Sequence, residues 1–192
     1  MKDATRIFKR YEEGPLLHIK DFPGKAQIYN PAPVQYGDET ILLVSVVEHA
    51  ATRGSGRDVG QTRIARSNDG INFVLSEENF IDPQAVGEPW DRYHHFIDNR
   101  ITKIEDWYYI ITPVMVNGFD SPVGMLGRTK DFKSYERIDI ITQPKNRGAS
   151  LFPEKINGKY YKLDRPGGGD GGDGDIWTVS YTHLRAHETC TN

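Results

Sequence analysis

The segment RITKIEDWYYI, from Arg100 to Ile110, is the most informative stretch of the chain, because a related segment, FPEKINGKYYK, follows at Phe152–Lys162. Ile104 in the first copy aligns with Ile156 in the second, a spacing of 52 residues, and a weaker copy, VQYGDETILL, covers Val34–Leu43. Each copy holds turn residues beside a short apolar and aromatic run, which is the pattern of a β-hairpin. Repeats of about 50 residues that contain several short strands are typical of β-propeller blades.

The strand that follows this hairpin also repeats. IARSNDGINF at Ile64–Phe73 matches LGRTKDFKSY at Leu126–Tyr135, and each indicates a strand, a Ser-x-Asp or Thr-x-Asp turn and then an aromatic residue. A third copy, DIWTVSY, lies at Asp175–Tyr181. No window of about 11 residues or more carries the apolar spacing of an amphipathic helix. We therefore predict an all-β protein, and we favour a β-propeller over a β-sandwich whose hairpins are alike by chance.

The number of repeats is too small to close a propeller. About three units of this size fit into 192 residues, whereas closed propellers have about four to eight blades. We therefore interpret residues 1–181 as an incomplete β-propeller domain. The segment THLRAHETCTN, at Thr182–Asn192, lacks the turn and aromatic element and contains Cys190, the single cysteine of the chain. We interpret this segment as a non-native tail, and the alternative is a native C-terminus that has diverged.

The composition argues against several classes of protein. The formal net charge of −3 and the lack of a long basic run argue against a nucleic-acid partner. No run of about 18 apolar residues occurs, so no membrane partner is expected. The segment Met1–Arg10 is charged and has no apolar core, which argues against a signal peptide and predicts a cytoplasmic protein. His18, His49, His94 and His95 do not have the spacing of zinc ligands, and we expect no metal site.

Four stretches of the chain resemble one known enzyme family and occur in that family's order. They are RYEEGPLL at Arg10–Leu17, IYNPAPVQY at Ile28–Tyr36 with LLV at 42–44, FIDNRITKI at Phe96–Ile104, and KNRGASLFPEKINGKY at Lys145–Tyr160 running into DRP at 164–166. Together they resemble glycoside hydrolase family 130, the mannoside phosphorylases and related β-mannosidases. The resemblance implies a five-bladed β-propeller with its active site in the central funnel, of which this chain supplies about three blades.

The resemblance assigns the role of catalytic acid to Asp98. Cleavage of a glycosidic bond requires a proton on the leaving oxygen, which a carboxylic acid supplies, and in this family the proton is thought to pass through a sugar hydroxyl. Tyr93, His95 and Arg100 are assigned to the sugar, because aromatic faces and hydrogen-bond donors suit its ring. By sequence alone, Asp98 could instead cap a turn with Asn99. The family commonly has proline after this aspartate, and we expect Asn99 to loosen the turn.

Arg147 and Arg165 form the second group that the resemblance assigns. They lie 18 residues apart, on either side of a predicted strand, so both guanidinium groups can point inward. Two fixed bidentate donors suit inorganic phosphate, and hydrolase members of the family tend to lack such a pair. Lys145 is assigned as a weaker companion in phosphate binding. The alternative for each arginine is ordinary exposure to solvent.

Glu48, at the end of the first apolar strand, is also assigned to sugar binding. The family usually carries an arginine three residues before this glutamate, where this chain has Ser45. The identity of the sugar subsite is therefore left open. We expect Arg66 to pair with Asp69 at the surface.

These assignments predict inverting phosphorolysis of a β-mannoside. Phosphate would attack the anomeric carbon of a β-1,4- or β-1,2-linked mannosyl saccharide and release mannose 1-phosphate, with Asp98 starting the proton transfer. The expected partners are a small oligosaccharide and inorganic phosphate as co-substrate, with no organic cofactor, and a homo-oligomer is left open. The alternatives are a β-mannoside hydrolase of the same fold and a glycan-binding fragment without activity.

Overall fold

The computed structural model describes residues 11–18, 20, 27–49, 59–82, 93–167 and 174–184. Within these ranges the regular elements are β-strands, which confirms the all-β prediction. No helix in the described part of the chain is long and apolar enough to cross a membrane. The strands form three antiparallel sheets, here called sheets 1 to 3 in chain order.

Strands that are adjacent in a sheet are mostly adjacent in the chain. Sheet 1 consists, in order, of β1 (Gln27–Tyr36), β2 (Glu39–Glu48), β3 (Val59–Ser67) and β4 (Val74–Ile81). Sheet 2 begins with β5 (Tyr93–His94) and β6 (Arg100–Ile104), which both pair with one edge of β7 (Trp107–Val116), and continues with β8 (Phe119–Thr129) and β9 (Glu136–Ile140). Sheet 3 consists of β10 (Asn146–Leu151), β11 (Tyr160–Pro166) and β12 (Trp177–Tyr181).

The repeated turns that the sequence predicts after β3 and β8 adopt the same hydrogen-bonded geometry. In each copy a side-chain hydroxyl accepts two backbone amides, and the aspartate two residues later accepts the next two amides with one carboxylate oxygen. Ser67 and Asp69 form the first copy. Thr129 and Asp131 form the second. The repeat read from the sequence is thereby confirmed at the level of individual hydrogen bonds.

Arg66 differs from the expectation. Its Nη1 lies 2.7 Å from Glu39 Oε2, and its Nη2 donates to the carbonyl oxygen of Phe132 at 3.2 Å. The expected pair between Arg66 and Asp69 is therefore wrong, because the Asp69 carboxylate accepts the amides of its own turn. Arg66 instead links sheet 1 to the loop that follows β8.

Sheet 2 lies between the other two sheets and contributes to two hydrophobic clusters. Side chains alternate between the two faces of a strand. In β7, Tyr108 and Ile110 belong to the cluster shared with sheet 1, whereas Tyr109 and Ile111 belong to the cluster shared with sheet 3. Both faces of β7 are therefore buried, which explains why its sequence is almost continuously apolar.

The first strands of sheets 1 and 3 flank β6 of sheet 2. β6 contacts both β1 and β10, although these contacts are not ladder pairings. The three strands therefore lie next to one another where the sheets converge. Residues in and beside these strands form the site described below.

Part of the predicted C-terminal tail is described. Residues 182–184 belong to the described ranges, and Leu184 packs against the cluster between sheets 2 and 3. Residues 185–192, including Cys190, lie outside them. The division into a domain at 1–181 and a tail at 182–192 stays a prediction.

Candidate active site

Irregular backbone occurs in or beside all three converging strands. Asn30 has a φ of 45° at a register shift in β1, Asp98 has a φ of 59° between β5 and β6, and Lys145 has a φ of 62° just before β10. A register shift in β10 falls at Arg147. Left-handed conformations of residues other than glycine, and β-bulges, are uncommon and cluster at functional sites. These irregularities direct side chains from three sheets toward one point.

The Asp98 carboxylate lies at that point. Asn30 Nδ2 donates to Asp98 Oδ1 at 2.5 Å, and Arg147 approaches Asp98 Oδ2 with both Nε and Nη2 at 3.2 Å. The Asp98 side chain is 13% exposed, and that of Arg147 is 51% exposed. One neutral donor and one cationic donor therefore hold the acid, and the arginine extends from it to solvent.

The peptide groups on either side of Asp98 are also held. The Asp98 amide donates to Ser45 Oγ at 2.9 Å. Arg100 Nη1 donates to the carbonyl oxygens of Asp98 and Asn99, at 3.0 and 2.9 Å. Arg100 thus contacts the backbone of the turn, and its assignment to the sugar stays a prediction.

Asn99 tightens the turn, so the expectation that it loosens the turn is wrong. Its side chain is fully buried. Asn99 Nδ2 donates to Thr62 Oγ1 at 2.6 Å, and Asn99 Oδ1 accepts from Thr112 Oγ1 at 2.7 Å. Thr62 belongs to β3 and Thr112 to β7, so the turn is fastened to two sheets.

The turn also requires a glycine in the facing strand. The amide of Phe96 donates to the carbonyl oxygen of Gly60 at 2.8 Å. A Cβ atom at Gly60 would lie 2.6 Å from Ile97 Cγ2 and 2.9 Å from His95 Nδ1. A side chain at this position of β3 would therefore displace the turn.

A cavity of about 300 Å³ lies beside Arg147. It is lined by His94, His95, Pro113, Val114, Met115, Pro122 and Arg147. The structure thus brings together three residues that the sequence singles out, Asp98, Arg147 and His95. Among the described residues, no group of three His, Cys, Asp or Glu side chains could hold a metal ion.

The second arginine lies next to the first. Arg165 in β11 is opposite Gly148 in β10, and a Cβ atom at Gly148 would lie 3.0 Å from Arg165 Nε. The Arg165 side chain therefore lies over the residue that follows Arg147. Both arginines are exposed, and their role toward phosphate stays a prediction.

Lys145, just before β10, is held by hydrogen bonds of its backbone. Its amide donates to Ser121 Oγ at 2.6 Å, and its carbonyl oxygen accepts from the Gly167 amide at 2.6 Å. These two bonds fix the residue just before the strand that carries Arg147. The Lys145 side chain is exposed, and its role toward phosphate stays a prediction.

Two residues assigned to the sugar have other surroundings. Tyr93 is 6% exposed and packs in the cluster between sheets 1 and 2, so it is a core residue. Glu48 is the half-buried last residue of β2. Because side chains alternate along a strand, Glu48 falls on the face opposite Ser45, whose hydroxyl contacts Asp98.

Asn30 and Tyr29 are site residues that the sequence reasoning missed. Tyr29 is opposite Ser45 in the β1–β2 ladder. Partial burial raises the pKa of Tyr29, with the Asp98 charge acting in the same direction and the Arg147 charge opposing it. A signal was present in the sequence, because an Asn-Pro pair inside a strand pattern indicates a bulge.

Several known proteins are similar to this chain in sequence. The family profile described as beta-1,4-mannooligosaccharide phosphorylase matches residues 2–180. The beta-1,2-mannobiose phosphorylase of Listeria innocua serovar 6a is 40% identical over 127 residues, which cover 65% of this chain and 33% of that protein. The 4-O-beta-D-mannosyl-D-glucose phosphorylase of Bacteroides fragilis is 34% identical, over 96% of this chain and 50% of its own length. The chain thus spans about a third to a half of the length of these relatives.

Solved structures show the same similarity. The beta-1,2-mannobiose phosphorylase from Listeria innocua in complex with beta-1,2-mannobiose superimposes with a TM-score of 0.76 and 29% identity, covering 92% of this chain and 63% of that one. A beta-fructofuranosidase from Bombyx mori, at 24% identity, has a TM-score of 0.57 and covers 79% of this chain and 32% of that one. At that identity, the second likeness concerns the fold alone.

Proposed function

The chain belongs to glycoside hydrolase family 130, and from this premise we propose that it carries the acid and the phosphate-binding arginines of an inverting β-mannoside phosphorylase. The relatives described above are phosphorylases of β-linked mannosides. The substrate is accordingly a β-1,2- or β-1,4-linked mannosyl saccharide, and the second substrate is inorganic phosphate.

In the proposed reaction, an oxygen of inorganic phosphate attacks the anomeric carbon of the terminal mannosyl unit. The bond from that carbon to the glycosidic oxygen breaks, and a proton that Asp98 supplies reaches the leaving oxygen, directly or through a sugar hydroxyl. The products are α-mannose 1-phosphate and the shortened saccharide. Attack from the face opposite the leaving group inverts the configuration at the anomeric carbon.

One observation carries this proposal, namely the contact between Arg147 and Asp98. Both Nε and Nη2 of Arg147 lie 3.2 Å from Asp98 Oδ2. The same side chain lines the neighbouring cavity, and Arg165 follows one ladder position away. A phosphate bound by the two guanidinium groups would therefore lie beside the acid, as a displacement by phosphate requires.

We also propose that sheets 1 to 3 are blades of a five-bladed β-propeller. Two features support this arrangement. β6 of sheet 2 contacts the first strands of sheets 1 and 3, and the later strands follow outward in chain order. Asp98 then lies near the central funnel, and further blades would complete the walls around the substrate.

The test is a product analysis with the protein expressed from its complete native reading frame. The protein is incubated with inorganic phosphate and either β-1,2- or β-1,4-mannobiose, and the products are separated by anion-exchange chromatography. We expect mannose 1-phosphate in an amount equal to the mannose that is released. Free mannose formed without phosphate would instead identify a hydrolase, and mannobiose binding without turnover would identify a glycan-binding protein.

The arginine pair gives a second, independent arm of this test. Replacing Arg165 by methionine removes a charged donor while keeping an unbranched side chain. We expect the KM for phosphate to rise about tenfold, the usual effect of losing one charge-assisted hydrogen bond. An unchanged KM for phosphate would contradict the role of Arg165.

A further inference from the structure

The turn that carries Asp98 is anchored by a buried polar cluster of Asn99, Thr62 and Thr112, which we call the Asn99 cluster. All three residues have a relative exposure of 0%. Asn99 Nδ2 lies 2.6 Å from Thr62 Oγ1, and Asn99 Oδ1 lies 2.7 Å from Thr112 Oγ1. Thr62 donates its single hydroxyl proton to the carbonyl oxygen of Phe96, so its oxygen can only accept from Asn99, and a flipped amide would set two acceptors against each other.

The hydrogen bonds of the cluster run in one direction. Thr112 donates to Asn99, Asn99 donates to Thr62, and Thr62 donates to the carbonyl oxygen of Phe96 at 3.0 Å. The series of hydrogen bonds therefore starts in sheet 2, passes through the turn to sheet 1, and returns to the first part of the same turn. Bonds in such a buried series reinforce one another.

The two arginine contacts beside Asp98 are less enclosed than the Asn99 cluster. Arg100, which holds the two carbonyl oxygens, is exposed, and Arg147, which holds the carboxylate, is 51% exposed. Asp98 itself adopts a φ of 59°, a left-handed conformation that persists only where its surroundings enforce it. Asn99 is the residue bonded to Asp98 along the chain, and its side chain is fully buried, as is that of Ser45, which accepts the Asp98 amide.

We propose that Asn99 is a positioning residue for Asp98, and that Thr112 and Thr62 fix its orientation. The proposal rests on the proposed function, in which Asp98 supplies the proton to the leaving sugar. Loss of the cluster lets the turn move and displaces the acid from its working position. A displacement of about 1 Å at a reacting group can lower a rate about 100-fold.

Thr112→Val is the sharpest variant, because valine has the shape of threonine but cannot donate to Asn99 Oδ1. Thr112→Ser retains the hydroxyl and should restore the wild-type behaviour. The matched control is Thr129→Val. Thr129 is 1% exposed, and its hydroxyl also holds a loop, but it lies at the other end of sheet 2, paired with Tyr108.

The first readout is turnover of two substrates. With mannobiose, we expect Thr112→Val to lower kcat by about 10- to 100-fold. With β-mannosyl fluoride, whose leaving group needs little protonation, we expect a loss of less than about threefold. Equal losses on both substrates, or no loss on mannobiose, would overturn the proposal.

The second readout is hydrogen exchange of the Asp98 amide, which is bound to Ser45 Oγ. This measurement does not depend on enzymatic activity. We expect faster exchange in Thr112→Val and a wild-type rate in Thr112→Ser and Thr129→Val. Unchanged exchange in Thr112→Val would overturn the anchoring role. If the wild-type protein forms no mannose 1-phosphate, the proposed function fails, and the exchange rates alone decide whether the cluster holds the turn.

Discussion

The Nε and Nη2 atoms of Arg147 lie 3.2 Å from Asp98 Oδ2, so the arginine assigned to phosphate and the acid assigned to proton transfer are in direct contact. The two residues come from different sheets and are 49 positions apart in the chain. A phosphate that binds Arg147 must share the guanidinium group with Asp98 or displace the carboxylate from it. The phosphate site and the acid are therefore parts of one electrostatic unit.

Asp98→Asn should remove the proton donor and keep the turn. Asparagine tolerates the left-handed conformation that Asp98 adopts, and its amide group occupies nearly the same volume. We expect kcat for mannobiose phosphorolysis to fall by about 10²- to 10⁴-fold, the usual contribution of general acid catalysis. The control is Asp106→Asn in the exposed turn between β6 and β7, which should retain full activity. A thermal midpoint lowered only in Asp98→Asn would indicate a structural role.

Arg147→Lys should separate charge from geometry at the phosphate site. Lysine keeps the positive charge but cannot offer two fixed donors to one oxyanion. We expect the KM for phosphate to rise about tenfold and the KM for mannobiose to change by less than about threefold. Steady-state kinetics with each substrate varied in turn measures both constants. Arg128→Lys is the matched control, because Arg128 makes a two-point contact with Glu136 at 2.8 Å on an exposed part of sheet 2. A larger effect on mannobiose than on phosphate would contradict the assignment.

Asp131→Asn should change how the free energy of unfolding depends on pH. Backbone amides, that of Ser134 first and that of Lys133 second, lower the pKa of Asp131 from its ordinary value of 3.8 to about 2. A carboxyl group with a lowered pKa in the folded state stabilises the fold at pH values above 3.8, and this contribution is lost as the pH falls to about 2. The wild-type protein should therefore be more stable than the variant at pH 7, and the difference should shrink between about pH 4 and pH 2.

Urea unfolding at pH 7, 4 and 2.5 measures this difference. The corresponding turn offers a second case, because the amides of Asn72 and Ile71 lower the pKa of Asp69 as well. Asp69→Asn should give the same trend with pH. A difference between wild type and variant that is constant over this range would refute the explanation for both turns.

Lys162→Met should strongly destabilise sheet 3. Lys162 Nζ is fully buried, lies 2.8 and 2.7 Å from the two carboxylate oxygens of Asp164, and also donates to the carbonyl oxygen of Ile141. Removing the lysine leaves a buried carboxylate without its cation, which costs about 3–5 kcal/mol. The control is Lys155→Met. Its pair with Glu105 has a similar length of 2.8 Å but is exposed, so the loss of stability should be much smaller than that of Lys162→Met.

Urea unfolding of both lysine variants at neutral pH measures these changes. The double variant Lys162→Met/Asp164→Leu removes both charges and should recover part of the loss. Equal effects of Lys162→Met and Lys155→Met would show that burial does not set the strength of these pairs.

Much of the fold was predictable because it rests on local patterns. The Ser67 and Thr129 turns are formed by side chains that bond amides within three residues, so their short motifs identify them. The run at Trp107–Val116 is a strand buried on both faces, and its nearly continuous apolar sequence indicates this. The resemblance to a family added Asp98 and the two arginines, which composition and spacing alone would not have selected.

Other parts of the site were not predictable for a physical reason. Asn99 was expected to loosen the turn, because it stands where the family commonly has proline. Its partners, Thr62 and Thr112, are 37 and 13 residues away. Tyr93 was assigned to the sugar, yet its ring is enclosed between two sheets. The direction of a side chain from an irregular segment depends on packing that no local pattern encodes.

The amino-acid sequence was enough for the repeated hairpins and the all-β class, because alternation and turn chemistry act over a few residues. The candidates Asp98, Arg147 and Arg165 came from the resemblance to a family. Only the packing of the sheets shows that Asn30, Asp98 and Arg147 meet at one carboxylate and that Asn99 bonds to Thr62 and Thr112. The reason is that three sheets converge on one point, and a contact between sheets depends on how their faces pack rather than on the order of residues within each strand.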